Sequence, residues 1–333
     1  MNEQTTLGLD LGMGAMKLFD VAGGVQLLAF VAIGGAAPVR RTLGLAAAKP
    51  ALHITVGTQP YLVGLHAHDQ GRPIENLDYE RLTGSPEIRA LLYAALTERI
   101  RAYGPIDRPI ACLVGLPLEP LTGDEAKTTV AAVRKWLKGE HSWQADGVAQ
   151  SVEIADVQVT SQPAGALFDY LLDDEARFIP ERKGHMTKEL GIVSVGFNTI
   201  ELLAVRDKTP VQRFTAGSTV GVRRLLELLN REGLYSLGEL DALLRAGALD
   251  TSEALPLWAR EVTGVIERTW GRQWRRFARI LVVGGGAMLL GDHLTGRFEG
   301  KAIVPDQPVL AIARGLYKQA EARAQASRRR EVA

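Results

Sequence analysis

Hydrophobic and polar positions alternate over two segments of the chain that share one plan. In residues 6–21 the alternation breaks at a glycine-rich turn and resumes at Met16, Leu18 and Val21. A strand, a glycine turn and a second strand fit this pattern, because the turn leaves no room for a helix. Residues 191–205 repeat the plan. The chain is therefore predicted to have two similar halves, each opening on a β-hairpin.

Other apolar segments differ in length and spacing. Short continuous runs predict strands buried on both faces of a sheet, and apolar residues that recur every three or four positions predict helices. Residues 22–80 hold short β-prone pieces between glycines and prolines, typical of a small β-rich insertion, and residues 174–188 are predicted to be an exposed connection. Strands are predicted at 110–114, 152–159 and 279–283, and helices at 87–101 with a cap at Ser85, 124–137, 164–173, 219–231, 237–245, 259–277, and from near Pro308 into a charged tail, 314–333.

Composition and charge narrow the class of protein. The chain has 333 residues, 46% hydrophobic and 23% charged, which predicts a folded protein of about two domains with room for a cleft between them. A net charge of +1 gives no global field that would attract nucleic acid or an anionic membrane. The longest apolar run, residues 27–39, is too short and too interrupted to span a bilayer, and the first residues lack a signal-peptide pattern. We therefore expect a cytoplasmic protein, with its single cysteine, Cys112, buried in the core.

Tryptophans and arginines cluster in residues 258–279, which raises the question of a nucleic-acid surface. Val262, Ile266, Trp270 and Trp274 recur at helical spacing. This spacing favours an amphipathic helix with the arginines on its solvent face over a nucleic-acid site.

The first hairpin carries residues suited to phosphate chemistry. Gly12 and Gly14 let backbone N–H groups approach an anion, and Lys17 adds a positive charge. Asp10, at the end of the first strand, is predicted to hold a magnesium ion through water. This motif alone fits an ordinary glycine hairpin equally well.

Two further glycine turns add to this signal. The second hairpin and the glycines that follow the strand at 279–283 give two more backbone surfaces around one cleft, so that two hairpins could clamp a triphosphate with the third loop under the nucleoside. The candidate nucleotide-binding residues are Asp10, Gly12, Met13, Gly14, Lys17, Gly196, Phe197, Asn198, Thr199, Gly217, Gly284, Gly285, Gly286 and Ala287.

The order of these turns resembles the actin/Hsp70/sugar-kinase superfamily of ATPases over nearly the whole chain. Within it, the chain is most similar to the bacterial and archaeal actin-like proteins of the ParM/StbA plasmid-segregation type. The resemblance is carried by Asp10 with Lys17 seven positions later, and by residues 61–67, 113–118, 282–287 and 305–315.

The resemblance implies an α/β actin-like fold. Two RNase H-like α/β domains would flank a cleft that binds ATP or ADP with Mg²⁺, and the first domain would carry the small β-rich insertion. The implied bounds are residues 1–163 plus 305–333 for the first domain, with the insertion at about 22–80, and residues 164–304 for the second.

The resemblance also implies a function. The protein would polymerise into cytoskeletal filaments with Mg-ATP, hydrolyse ATP, and serve plasmid or DNA segregation through a DNA-binding adaptor, without itself touching nucleic acid or membrane. Two alternatives stay open, namely a nucleotide-dependent switch or scaffold that never polymerises, and a small-molecule kinase of the same superfamily.

The resemblance assigns catalytic roles to Gln162, Asp10 and Ser194. Gln162 occupies the hinge position where actin-like proteins place a residue that orients the attacking water, although a polar cap before Pro163 is the alternative. Ser194 stands where most members have an aspartate, so a carboxylate that organises magnesium-bound water is missing. We therefore expect hydrolysis that is slow or dependent on assembly.

Overall fold

Two mixed β-sheets form the framework of the protein. The computed structural model describes residues 4–34 and 49–332. In these residues the first sheet has ten strands in the order β3-β2-β1-β8-β10-β9-β5-β6-β4-β7. They are β1 (Thr5–Leu11), β2 (Ala15–Asp20), β3 (Gly23–Leu28), β4 (Val31–Ile33), β5 (Leu52–Val56), β6 (Gln59–Val63), β7 (Arg72–Pro73), β8 (Ile110–Leu116), β9 (Gly139–Ala145) and β10 (Val148–Ser161).

The second sheet repeats the start of the first. An antiparallel hairpin is followed by a parallel strand, so β1, β2 and β8 correspond to β11, β12 and β15. The path through the sheet is β13-β12-β11-β15-β16, with β14 paired to β12. The strands are β11 (Leu190–Val195), β12 (Ile200–Arg206), β13 (Thr209–Pro210), β14 (Ala216–Ser218), β15 (Arg279–Val283) and β16 (Ala302–Ile303).

Helices cover the sheets and connect their parallel strands. Ser85 accepts a hydrogen bond from the backbone N–H of Ile88 and so caps α2 as predicted. The helices of the described residues are α1 (Ala67–Gln70), α2 (Pro86–Tyr103), α3 (Ala126–Leu137), α4 (Gln162–Leu171), α5 (Pro180–Lys183), α6 (Val222–Leu229), α7 (Leu237–Arg245), α8 (Ala254–Trp270), α9 (Ala287–Arg297) and α10 (Ala311–Val332), with 3₁₀ turns at Tyr79–Thr83, Glu119–Leu121, Gly184–Thr187, Gln212–Phe214 and Gln273–Arg276.

Helices α4 and α10 pack together between the two sheets. Their backbones touch, because a Cβ on Gly315 would overlap the carbonyl oxygen of Gly165. Ile312 and Leu316 of α10 share an apolar cluster with residues of β8, β11 and β15. This layer places the ends of both hairpins on the same side of the molecule, facing one cleft.

Three predicted helices have different bounds in the structure. The helix predicted at 259–277 is α8, and it stops at Trp270 because Gly271 takes a positive φ of 49°. The helix predicted at 219–231 shortens to α6. The charged tail predicted at 314–333 is wrong, since α10 continues to Val332 through alanines, arginines and glutamines that favour helix.

Other predictions agree with the structure. Cys112 is buried, and burial raises the pKa of its thiol. Val262, Ile266 and Trp270 lie in the core beneath α8, as the helical spacing predicts. The segment 174–188 is a connection that contains α5 and a 3₁₀ turn.

The proposed domain bounds stay a prediction. Part of the β-rich insertion, residues 35–48, lies outside the described residues, as do residues 1–3 and 333. In the described part of the chain, every helix is either too short or too polar to cross a bilayer.

Candidate functional site

The glycine turns surround a cleft of about 430 Å³ between the two sheets. One wall is the β1–β2 turn, the opposite wall is the β11–β12 turn, and the floor comes from the β15–α9 loop and α7. Most of the predicted residues line it, namely Asp10, Gly12, Met13, Gly14, Lys17, Gln162, Ser194, Gly196, Phe197, Asn198, Thr199, Gly284 and Gly285.

Asp10 is the centre of the polar end of the cleft. It is 1% exposed, and it faces Lys17 across the hairpin because the two residues are register partners in β1 and β2. The Lys17 Nζ lies 3.1 Å from Asp10 Oδ2, and the Gln162 Nε2 donates to Asp10 Oδ1 at 2.7 Å. Gln162 is the first residue of α4, directly after β10. The three side chains thus join the first hairpin to the hinge between sheet and helix.

The two hairpin tips meet directly. A Cβ on Gly14 would lie 2.4 Å from the Cβ of Phe197, so only glycine permits this approach. Asn198 is 5% exposed, and its Oδ1, buried at the edge of the cleft, has no hydrogen-bond partner in the described part of the chain. A buried polar atom of this kind usually has a hydrogen-bond partner, which makes Asn198 a candidate ligand-binding group.

The third turn has two different faces. Gly285 has open space where a Cβ would lie, and it borders the cleft. Gly284, at φ 91°, lines the cleft as well, and a side chain on Gly284 or Gly286 would collide with Val195 of the neighbouring strand. Gly286 precedes α9, whose first residue is Ala287. Gly286 and Ala287 therefore hold the loop in place and do not border the cleft.

Gly217 is also away from the cleft. It lies in the middle of β14, exposed, with its backbone paired to Glu201. The prediction that Gly217 binds nucleotide is therefore not supported by its position, because the β14 pairing places it at the edge of the second sheet.

The structure adds side chains that the sequence motifs did not identify. Asp241, Leu244 and Arg245 of α7 line the cleft, and the Arg245 Nε donates to Asp241 at 2.8 Å. Burial raises the pKa of Asp241. The sequence predicts this helix correctly but gives no sign of which face meets the cleft.

A second omission is Glu201 of β12, the register partner of Ser194. It is 2% exposed, and its Oε1 accepts a hydrogen bond from the backbone N–H of Leu118 at 2.5 Å. Burial raises its pKa to about 8. The sequence could have pointed to Glu201, because it is an acid within a strand predicted to be buried, and ionisable residues are rarely buried without a role.

The residues at the polar end fit a nucleotide-bound magnesium ion. Mg²⁺ prefers oxygen ligands and binds through one or two carboxylates together with substrate phosphates. Asp10 offers a buried carboxylate, and the Asn198 Oδ1, which has no hydrogen-bond partner among the described residues, offers another oxygen at the same cleft. Residues 4–34 and 49–332 hold no group of three or more histidine, cysteine or acidic side chains able to bind a metal alone.

The chain has the fold of the actin-like proteins. Residues 8–165 match the family model described as the actin-like proteins N-terminal domain. A search of curated protein sequences found no match. The resemblance inferred from the sequence is confirmed, and so is the actin-like fold with its two sheets.

Solved structures with this fold cover nearly the whole chain. The ParM of a 15-stranded filament from Clostridium botulinum is 20% identical with a TM-score of 0.75, over 96% of this chain and 99% of that one. The archaeal actin homologue Ta0583 in complex with ADP is 20% identical, with a TM-score of 0.72 over 96% and 99%. The actin-like protein Alp7A is 14% identical, with a TM-score of 0.74 over 99% of both chains.

Proposed function

We propose that this protein is an ATPase that binds Mg-ATP in the cleft, polymerises into filaments in the cytoplasm, and hydrolyses the bound nucleotide. The observation that carries the proposal is the convergence of three turns on one cleft whose polar end holds Asp10, Lys17 and Gln162. The same fold belongs to a ParM filament and to an ADP-bound actin homologue.

The cleft offers both polar groups that suit the phosphates of a nucleotide and apolar groups that suit its base. Its polar end offers the backbone N–H groups of two hairpin tips and the ammonium of Lys17, which suit a triphosphate. The cleft is also lined by apolar side chains that suit the base. These are Val222, Leu244, Met288 and Leu289.

The residues at the polar end divide the work of hydrolysis. Lys17, paired with Asp10 in this structure, would turn to the phosphates, and Asp10 would then hold magnesium-bound water. The magnesium ion supplies charge neutralisation for the β- and γ-phosphates. Gln162 donates through Nε2 to Asp10, which leaves its Oε1 to accept a hydrogen bond from the attacking water and so orient it.

Partners follow from the same class. A head-to-tail contact between copies that does not close gives an open helical filament. We propose that a DNA-binding adaptor links such a filament to a plasmid or other DNA, because a net charge of +1 gives the chain itself no field for nucleic acid. Direct membrane contact is not part of the proposal.

Right-angle light scattering tests this function. Mg-ATP, Mg-ADP and a non-hydrolysable ATP analogue are added in parallel to the purified protein, and we expect scattering to rise above a critical concentration with ATP and the analogue. A later fall with ATP alone would report hydrolysis. The variant Asp10→Ala should abolish the rise, whereas Asp124→Ala, an exposed acid before α3, should leave it unchanged.

A flat trace would contradict polymerisation. If fluorescent ATP still bound under those conditions, the switch and the small-molecule kinase would become the leading functions, and phosphate transfer to small alcohols and sugars would separate these two.

A further inference from the structure

Two facing residues of the second hairpin form an unusual pair. Ser194 of β11 and Glu201 of β12 are direct register partners, so their side chains lie on the same face of the sheet. Ser194 lines the cleft, and Glu201 lies behind it, 2% exposed. The face they share is turned toward the first sheet, because Glu201 accepts a hydrogen bond from Leu118 there.

One oxygen of Glu201 is left without a partner. Leu118 satisfies Oε1, but Oε2 is buried and accepts no hydrogen bond from any described residue. Burial favours the protonated form of Glu201, the acids Asp10 and Glu119 add to this, and the Leu118 hydrogen bond opposes it. The other titratable group that interacts with this carboxyl is the hydroxyl of Tyr79. Such an arrangement costs stability and is usually retained only where it serves a function.

We propose that Ser194 and Glu201 form a proton relay that serves the γ-phosphate end of the cleft in place of the aspartate missing at position 194. The inference rests on the proposed ATPase function. A serine hydroxyl can accept one hydrogen bond and donate another at the same time. Ser194 can therefore accept from the attacking water on its cleft side and donate to Glu201 Oε2 on the other.

The step balances as an ordinary hydrolysis. The water oxygen bonds to the γ-phosphorus, and the bond from that phosphorus to the bridging oxygen breaks. ADP leaves with the electron pair. One water proton passes to the Ser194 oxygen while the Ser194 proton passes to Glu201, and Glu201 later returns it to solvent. Glu201 touches the reacting water only through Ser194, so it is a positioning residue.

A double-mutant cycle with the full chain tests the relay. Single-turnover phosphate release is measured for Ser194→Ala, Glu201→Gln and the double variant, from pH 6 to 9 with Mg-ATP. We expect the rate of phosphate release to fall about 100-fold in each single variant, which is the lower end of the range for proton transfer by a positioned side chain. The double variant should be no slower than either single variant. Ser194→Thr, which keeps the hydroxyl, should retain most of the rate. Ser151→Ala and Glu153→Gln on exposed positions of β10 are the matched controls.

Two further readouts separate a relay from a structural role. The wild-type rate should rise with pH toward about 8, the pKa of Glu201, and this rise should vanish in Glu201→Gln. In the protein with a bound non-hydrolysable ATP analogue at pH 7, where the relay would be assembled, the infrared band of a protonated carboxyl should disappear in Glu201→Gln and shift in Ser194→Ala. Affinity for a fluorescent ATP analogue should change less than about twofold in every variant.

Several results would overturn the relay. Additive losses in the double variant, an unchanged rate in either single variant, or an unshifted infrared band in Ser194→Ala would each do so. Binding and scattering in the same samples keep this failure apart from failure of the proposed function. If the wild type binds no ATP, both fail, whereas normal binding and hydrolysis with unaffected variants remove the relay alone.

Discussion

At the scale of single residues, the second hairpin places a buried acid opposite a serine. Position 194 holds a serine where the resemblance to actin-like proteins implies an aspartate, and hydrolysis that is slow or dependent on assembly is predicted for that reason. The structure places Glu201 directly opposite, within the same buried face. Two acids facing each other at this point would repel, so an aspartate at 194 and a glutamate at 201 are poorly compatible.

The raised pKa of Glu201 predicts that the free energy of unfolding depends on pH. Its pKa rises from 4.5 to about 8 on folding, so the folded protein binds this proton more tightly than the unfolded chain does. The resulting stabilisation is complete below pH 4.5 and is lost as the pH rises to about 8, at about 1.4 kcal/mol per unit. Glu201→Gln removes this dependence. We therefore expect urea unfolding of the nucleotide-free variant to show a gain over wild type that grows from pH 5 to pH 8.

The exposed Glu153→Gln is the control, because its carboxylate is solvated in both states. Equal pH dependence for wild type and Glu201→Gln would show that Glu201 ionises at its ordinary pKa in the folded protein.

At the scale of elements, α7 contacts the cleft with one side and the β-rich segment with the other. Asp241 and Arg245 line the cleft. On the other side, Glu75 accepts a hydrogen bond from the backbone N–H of Gly238 at 3.2 Å, where a carboxylate also favours the helix N-terminus. The His68 ring lies directly against Gly238, with a hypothetical Cβ only 2.3 Å from its Nδ1. This contact joins the two sides of the molecule near the hairpin tips.

The substitution Gly238→Ala should break the contact of α7 with His68 and Glu75. The new methyl group would displace His68 and Glu75. We therefore expect a fluorescent ATP analogue to dissociate roughly tenfold faster in stopped flow, which corresponds to a loss of about 1.4 kcal/mol in binding free energy. Helix propensity alone predicts the opposite sign for stability, since alanine is favoured over glycine by about 1 kcal/mol. Gly296→Ala in α9, where the added Cβ meets open space, is the matched control. Equal dissociation rates for the two variants would show that the contact does not hold nucleotide.

The elements that sequence predicted best are those whose signal is local. Alternation and a glycine turn defined both hairpins, and α7 has its predicted bounds, 237–245. In the structure a capping box of Ser236 and Glu239 begins this helix, which is a local feature as well. The failures depend on distant packing. The end of α8 at Gly271 is set by one backbone angle, and the pairing of Gly217 with β12 could not be read from its neighbours.

The candidate site divides in the same way. Its turns were predictable because each is marked by glycines and charged residues that are neighbours in the sequence. Glu201 and the cleft face of α7 were not, because strand register and helix rotation are fixed by the whole fold.

At the scale of the whole molecule, the contact between α4 and α10 connects the two sheets. Asp169 of α4 accepts two hydrogen bonds from Arg314 of α10, at 2.6 Å and 2.7 Å, and its Oδ1 lies 3.2 Å from the Lys318 Nζ. The Asp169 side chain is 5% exposed, and the pairing raises the pKa of Arg314. Since α4 also contacts strands of both sheets, this pair lies where the halves of the chain meet.

Asp169→Asn should therefore destabilise the whole molecule. Asparagine cannot accept both guanidinium hydrogen bonds, so the mostly buried Arg314 would lose this counter-charge, and Lys318 would keep its ion pair with the exposed Asp174. Removing one partner of a buried ion pair costs about 3 kcal/mol, which urea unfolding at pH 7 would detect. Asp173→Asn, which breaks an exposed pair with Arg177, should have no measurable effect. If the two sheets depend on this contact for joint unfolding, Asp169→Asn should also split the single transition into two, as followed by tryptophans in each half. A single transition at the wild-type midpoint would show that apolar packing of α4 on α10 is sufficient to hold the sheets together.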